Sequence, residues 1–93
     1  MPEYLVELYI SRDDAAGARR LARHARLSAN ELTRGATATR YLRSVFVPDD
    51  ETCFLFYEAV SADAVRAAGR VAQLPFDHVA EMVGDSTAEG STP

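Results

Sequence analysis

Residues 38–59 read ATRYLRSVFVPDDETCFLFYEA. Two runs rich in aromatic and β-branched residues flank Pro48-Asp49-Asp50-Glu51, and together they predict a β-hairpin. Ahead of the turn the residues alternate. Tyr41, Arg43, Val45 and Val47 fall on one face and Arg40, Leu42, Ser44 and Phe46 on the other, the period of two that marks a strand. Pro48 suits the first corner of the turn. Beyond it, Thr52–Ala59 is apolar almost throughout, as expected of a central strand covered on both faces.

Outward from this hairpin the remaining elements follow. Tyr4 to Ile10 alternates Tyr4, Val6, Leu8, Ile10 against Leu5, Glu7, Tyr9, which predicts a half-buried first strand. Ser11, three residues before Asp14, predicts an N-cap for a helix over 13–34, and Gly35 supplies its stop. Leu21, Ala25, Ser28, Ala29 and Leu32 form its narrow, alanine-rich buried stripe. Ser61 caps a second helix from Ala62 to about Gln73, and Pro75 ends it. His78–Val83 is the last strand. The order strand, helix, strand, strand, helix, strand predicts an α+β, ferredoxin-like βαββαβ fold: a four-stranded antiparallel sheet with both helices on one face.

That fold leaves the second sheet face bare. Leu5, Tyr9, Leu42, Phe46, Phe54 and Phe56 are too many apolar groups to leave wet, since each is worth about 1.5–3 kcal/mol on full burial. The expectation is a dimeric α+β assembly, a homodimer through the face away from the helices.

The chain has 93 residues, enough for one domain. Residues 1–83 carry the ferredoxin-like pattern; residues 84–93, GDSTAEGSTP, form a polar tail expected to be flexible. All ten basic residues are Arg and none is Lys, which excludes Schiff-base chemistry and a P-loop lysine. The single Cys cannot form an internal disulfide, and no Cys/His spacing fits a structural zinc site. A net charge of −4 argues against general nucleic-acid binding. No apolar run is long enough to span a membrane, and Glu3 and Glu7 do not suit a signal peptide. A cytoplasmic protein is expected.

At the hairpin and second helix the chain resembles a known family. Arg40-Tyr41-Leu42-Arg43-Ser44, Val47-Pro48-Asp49-Asp50-Glu51-Thr52-Cys53-Phe54, Tyr57-Glu58-Ala59 and Leu74-Pro75-Phe76-Asp77 are similar to motifs of a bacterial family of small ferredoxin-like proteins described as nickel-binding. The opening Met1-Pro2-Glu3-Tyr4-Leu5-Val6-Glu7 looks like that family's first strand. The resemblance covers about residues 1–83 and implies a nickel-binding function, with Ni²⁺ as the ligand. One position departs from it. Many members carry a His in the second helix where this chain has Ala68, so any ligand supplied there in relatives is missing here.

The candidate side chains divide into two sets. His24 lies on the first helix with Ser28 four and Glu31 seven residues on, all along one flank. Imidazole suits Ni, Cu or Zn, so His24 and Glu31 form the metal candidate. The second set, Tyr9, Arg40, Tyr41, Phe54, Phe56, Tyr57 and Glu58, comes from strands and would line an apolar pocket with a few polar groups. Its ordinary alternative is a cross-strand ion pair between Arg40 or Arg43 and Glu7 or Glu58.

The remaining groups read as structural. His78 follows Asp77, but neighbours in a strand point to opposite faces and do not chelate one ion. Cys53 reads as a buried small hydrophobe with a raised pKa. Asp49-Asp50-Glu51 reads as an acidic hairpin tip. The arginines Arg19, Arg20, Arg23 and Arg26 read as a solvated helix face or a contact for an anionic partner. The reading favoured from sequence is a small non-enzymatic binding protein for nickel or another transition metal. Its rival is a small-molecule carrier or a cofactor-free dimeric α+β barrel enzyme, oxygenase- or cyclase-like, with an aromatic pocket. That rival rests on fold analogy.

Overall fold

Alternate residues of the first strand, β1 (Glu3–Tyr9), are buried: Tyr4, Val6 and Leu8, with Ile10 just beyond it. In this computed structural model, which describes residues 2–34 and 39–84 (side chains of 2–29 and 39–84), the elements after β1 are α1 (Ala15–Arg34), β2 (Thr39–Val47), a 3₁₀ turn (Pro48–Asp50), β3 (Thr52–Ala59), α2 (Ala62–Val71) and β4 (His78–Met82). The sheet order is β2-β3-β1-β4, antiparallel throughout. This is the ferredoxin-like α+β arrangement that the element order implied. No described helix is long and apolar enough to cross a membrane.

The helices cover the face that carries Tyr4, Val6 and Leu8 of β1 with Cys53, Leu55, Tyr57 and Ala59 of β3. Ala18, Ala25 and Ala29 of α1 and Ala64, Val65 and Ala68 of α2 close over them. Alanine there lets the helices lie close to the sheet, so the large side chains come from the strands. Leu8, Leu55, Val6 and Val65 are fully buried, each worth about 1.5–3 kcal/mol.

Local signals set the element ends. The Ser61 hydroxyl accepts from the Ala64 N–H at 3.2 Å, as its position predicted. For α1 the cap is Asp14, not Ser11: the Asp14 carboxylate accepts the Gly17 N–H at 2.9 Å, and the helix begins at Ala15. Ser11 instead accepts, through its backbone carbonyl, the Asp14 N–H at 2.9 Å. The residue called as the cap thus builds the preceding turn. The end of α2 is a left-handed cap at Gln73, with φ of 57°. Leu74 N–H donates to the Gly69 carbonyl and Gln73 N–H to the Arg70 carbonyl, a Schellman-type closure.

The hairpin turn closes with Glu51 N–H donating to the Pro48 carbonyl at 3.0 Å, and Glu51 takes φ of 50°. β2 departs from the simple alternation. Tyr41 pairs with Tyr57 and Arg43 with Phe56, so Leu42 is an extra residue, a β-bulge. The bulge switches the faces. Thr39, Tyr41, Ser44 and Phe46 share the helix side with Ala59, Tyr57, Leu55 and Cys53, and Arg40, Arg43, Val45 and Val47 share the open side. Phe46 therefore packs on the core rather than on the bare face.

Candidate functional site

The open sheet face is built by register. β1 contributes Glu3, Leu5, Glu7 and Tyr9, and β3 contributes Thr52, Phe54, Phe56 and Glu58; Val45 comes from β2, with Ala80 and Met82 from β4. Arg40 faces Glu58 across the strands with a nitrogen–oxygen distance of 3.6 Å. The Arg43 guanidinium carbon lies 4.4 Å from the centre of the Phe56 ring, a cation–π contact that partly roofs this face. Tyr9 donates its hydroxyl to the Glu51 carboxylate at 3.3 Å.

The seven residues read as one pocket therefore separate. Tyr9, Arg40, Phe54, Phe56 and Glu58 lie on the open face. Tyr41 and Tyr57 lie on the helix face, their rings edge to face with centroids 5.7 Å apart. Strand alternation is the reason: Tyr57 stands between Phe56 and Glu58 on β3, and Tyr41 follows Arg40 on β2, so each points to the opposite face from its neighbours.

Tyr57 is fully buried, and its hydroxyl has no hydrogen-bond partner among the described residues. Burial, reinforced by the neighbouring Tyr41 phenol, pushes its pKa well above the usual 10.0. That disposes it against proton transfer near neutrality. Cys53 is buried at the sheet centre and its thiol pKa is pushed up by burial, in line with a core residue.

His24 is exposed on α1, at the rim between two clefts. One, about 530 Å³, is walled by Ile10, Leu21 and Leu27; the other, about 300 Å³, runs to Val71, Ala72 and Gln73 of the α2 end and includes Ser28. Glu31 belongs to the last turns of α1, and its side chain lies outside the described residues.

The second imidazole belongs to a residue opposed by a glutamate across the strands, a pairing that sequence reasoning passed over. His78 stands opposite Glu7 in the β1–β4 register, on the open face, and Asp77 N–H donates to the Glu7 carbonyl at 2.8 Å. Directly opposed residues of antiparallel strands have their β-carbons about 4.5–5.5 Å apart. The topology already placed the last strand beside the first; the register that joins residue 7 to residue 78 is a long-range property without a local signal. Among the described residues no three His, Cys, Asp or Glu side chains gather in one place. A single chain therefore sets one imidazole residue opposite one carboxylate residue on this face, short of the four donors that a closed zinc-type site uses.

A third feature is a groove between α1 and β2, about 400 Å³, lined by Arg19, Arg23 and Arg26 on the helix and Tyr41, Ser44 and Phe46 on the strand. Asp49 and Asp50 at the hairpin tip are exposed, while Glu51 ties the tip inward by accepting the Arg12 N–H at 3.1 Å.

Comparison with known proteins places this architecture. The family model described as nickel responsive protein, SCO4226-like, matches residues 4–82. The crystal structure of SCO4226 from Streptomyces coelicolor A3(2) superposes with a TM-score of 0.61 at 17% identity, covering 89% of this chain and 98% of that one. That likeness shows the fold. No curated protein sequence matches the chain. With most of its length matched, the chain belongs to the SCO4226-like family of nickel responsive proteins.

Proposed function

We propose that this member of the nickel-responsive family binds a transition metal, with nickel first, and does so as a homodimer joined through its open sheet face. The observation that carries the reading is the Glu7–His78 opposition on that face. A carboxylate and an imidazole are a serviceable pair of donors for a borderline cation, and His78 is exposed. One chain gathers no third donor among its described residues. A second copy on the same face would add its own pair and would also cover Leu5, Val45, Phe54 and Phe56, which a lone chain leaves partly wet. Metal and assembly are thus one proposal. His24, the first candidate from sequence, shares its clefts with Ser28 and with Asp14, whose carboxylate is already engaged by the Gly17 N–H and Arg20, so it ranks second.

Calorimetric titration of the untagged protein with NiCl₂ tests the proposal. Stoichiometric binding is expected, weakened at least tenfold by His78→Ala and also by Glu7→Gln, and unchanged by His24→Ala. Loss of binding in His24→Ala alone would move the site to α1. No binding by the parent protein would end the metal reading. Light scattering at low micromolar concentration is expected to give twice the 10.2 kDa chain mass.

A further inference from the structure

The arginine-lined groove between α1 and β2 has no place in the metal reading, and it has the attributes of a second site. Arg19, Arg23 and Arg26 recur at i, i+4 and i+7, so they project from one side of α1 into the same groove of about 400 Å³. That volume lies within the roughly 300–1,000 Å³ of small-molecule pockets. Like charges at this helical spacing repel one another. Relief is absent locally: among the described residues no carboxylate lies within 4.0 Å of any of the three, whereas Arg12, Arg20, Arg40 and Arg66 each have one.

The groove's other surfaces state what else a ligand would need. Ala15, Ala18 and Ala22 line the helix between the arginines, so small side chains there leave the groove open. The opposite wall offers the half-buried rings of Tyr41 and Phe46 with the Ser44 hydroxyl between them. It exists because the bulge at Leu42 turns Ser44 and Phe46 to the helix side. Guanidinium forks match the paired oxygens of carboxylates and phosphates, and aromatic walls suit a flat apolar body.

We infer that this groove binds a small organic oxyanion, a phosphate or carboxylate carried on a planar apolar ring, with Arg23 flanked by Arg19 and Arg26 holding the anion and Tyr41 and Phe46 holding the ring. The shape favours a small molecule over a nucleic acid. The basic stripe is confined to one concave strip of a chain whose net charge is −4, and such a chain repels a polyanion elsewhere.

Titration of the full chain by isothermal calorimetry and amide NMR, with phenyl phosphate, benzoate, inorganic phosphate and benzyl alcohol as probes, decides it. Saturable binding of phenyl phosphate or benzoate is expected at one per chain, with shifts confined to α1 and β2. The preferred one of the two identifies the headgroup. Inorganic phosphate should bind at least tenfold more weakly, and benzyl alcohol not at all. Arg23→Gln, an exposed substitution that leaves the core untouched, should weaken binding at least tenfold, and Arg66→Gln should leave it unchanged. The inference fails if neither aryl anion binds at millimolar concentration, or if inorganic phosphate binds as tightly as phenyl phosphate. It also fails if Arg23→Gln has no effect, or if a single-stranded oligonucleotide binds this stripe more tightly than the aryl anions do. None of these outcomes depends on nickel.

Discussion

The ring of Phe76 lies so close against Gly69 that a β-carbon on residue 69 would stand 2.6 Å from its Cε1 atom. The loop after α2 is held down by this contact, with Leu74 buried beside it.

In an ordinary helix interior, Gly→Ala gains about 0.5–1 kcal/mol. At Gly69 the added methyl must push a packed ring aside, and overpacking costs about 1–3 kcal/mol. Gly69→Ala is therefore expected to be net destabilising by about 1 kcal/mol, seen as a lower urea midpoint. Adding Phe76→Leu should make the alanine much less costly, because a smaller, more flexible side chain can yield. Additive losses in the double variant would show that the ring is not the obstacle.

Gln73 holds φ of 57° without being glycine. A left-handed conformation costs an L-residue about 1–2 kcal/mol, and glycine gives back about 0.5–1 kcal/mol through its freer unfolded chain. Gln73→Gly should stabilise by about 0.5 kcal/mol, and Gln73→Val should destabilise. Thermal melts suffice, since 1 kcal/mol shifts Tm by about 4–8 °C in a domain of this size.

Glu51 combines a left-handed backbone with a working carboxylate. Glu51→Ala keeps the strain and removes the acceptor of the Arg12 N–H and the Tyr9 hydroxyl, a loss of about 1 kcal/mol. Glu51→Gly removes the same acceptor but relaxes the backbone, so its loss should be smaller. If the alanine variant were the more stable of the two, the turn would not be strained at residue 51.

The unpartnered Tyr57 hydroxyl has a measurable consequence. Tyr57→Phe should leave stability at pH 7 unchanged or raise it by up to about 1 kcal/mol, since a buried hydroxyl without a bond carries only its desolvation cost. Above its usual 10.0 the unfolded phenol ionises while the folded one, its pKa raised, stays protonated. The folded state then holds the extra proton, so stability is complete below about pH 10 and falls as pH rises further. The Cys53 thiol, raised from 9.0, adds a loss in the same direction that starts lower. Tyr57→Phe should flatten the loss above pH 10 and Cys53→Ala the loss that begins near pH 9. Denaturant melts from pH 8 to 11 would show it, and an unaltered alkaline slope in both variants would contradict it.

Local order carried most of the architecture. The alternation of Tyr4, Val6, Leu8 and Ile10, the apolar run of Thr52–Ala59, Pro48 at the turn and Ser61 before α2 each act within a few residues, through pleat, φ restriction or a capping bond. They predict strands, hairpin and helix starts without a partner in view. The helical period likewise placed His24 beside Ser28, and the motifs at 40–44 and 47–54 were enough to indicate the family.

What only the tertiary structure decided is which of these residues meet. An alternating pattern keeps its faces only while the pleat is unbroken, and the bulge at Leu42 shows only in how β2 pairs with β3. One inserted residue moved Phe46 into the core, separated Tyr41 from Arg43 and opened the arginine groove beside Ser44. Register is equally non-local: Glu7 meets His78 and Arg40 meets Glu58 only once strands distant in the chain have aligned. Side-chain period is a property of each strand alone, whereas bulge and register belong to pairs of strands. The sequence of one strand therefore specifies its alternation but not the partner its side chains will face.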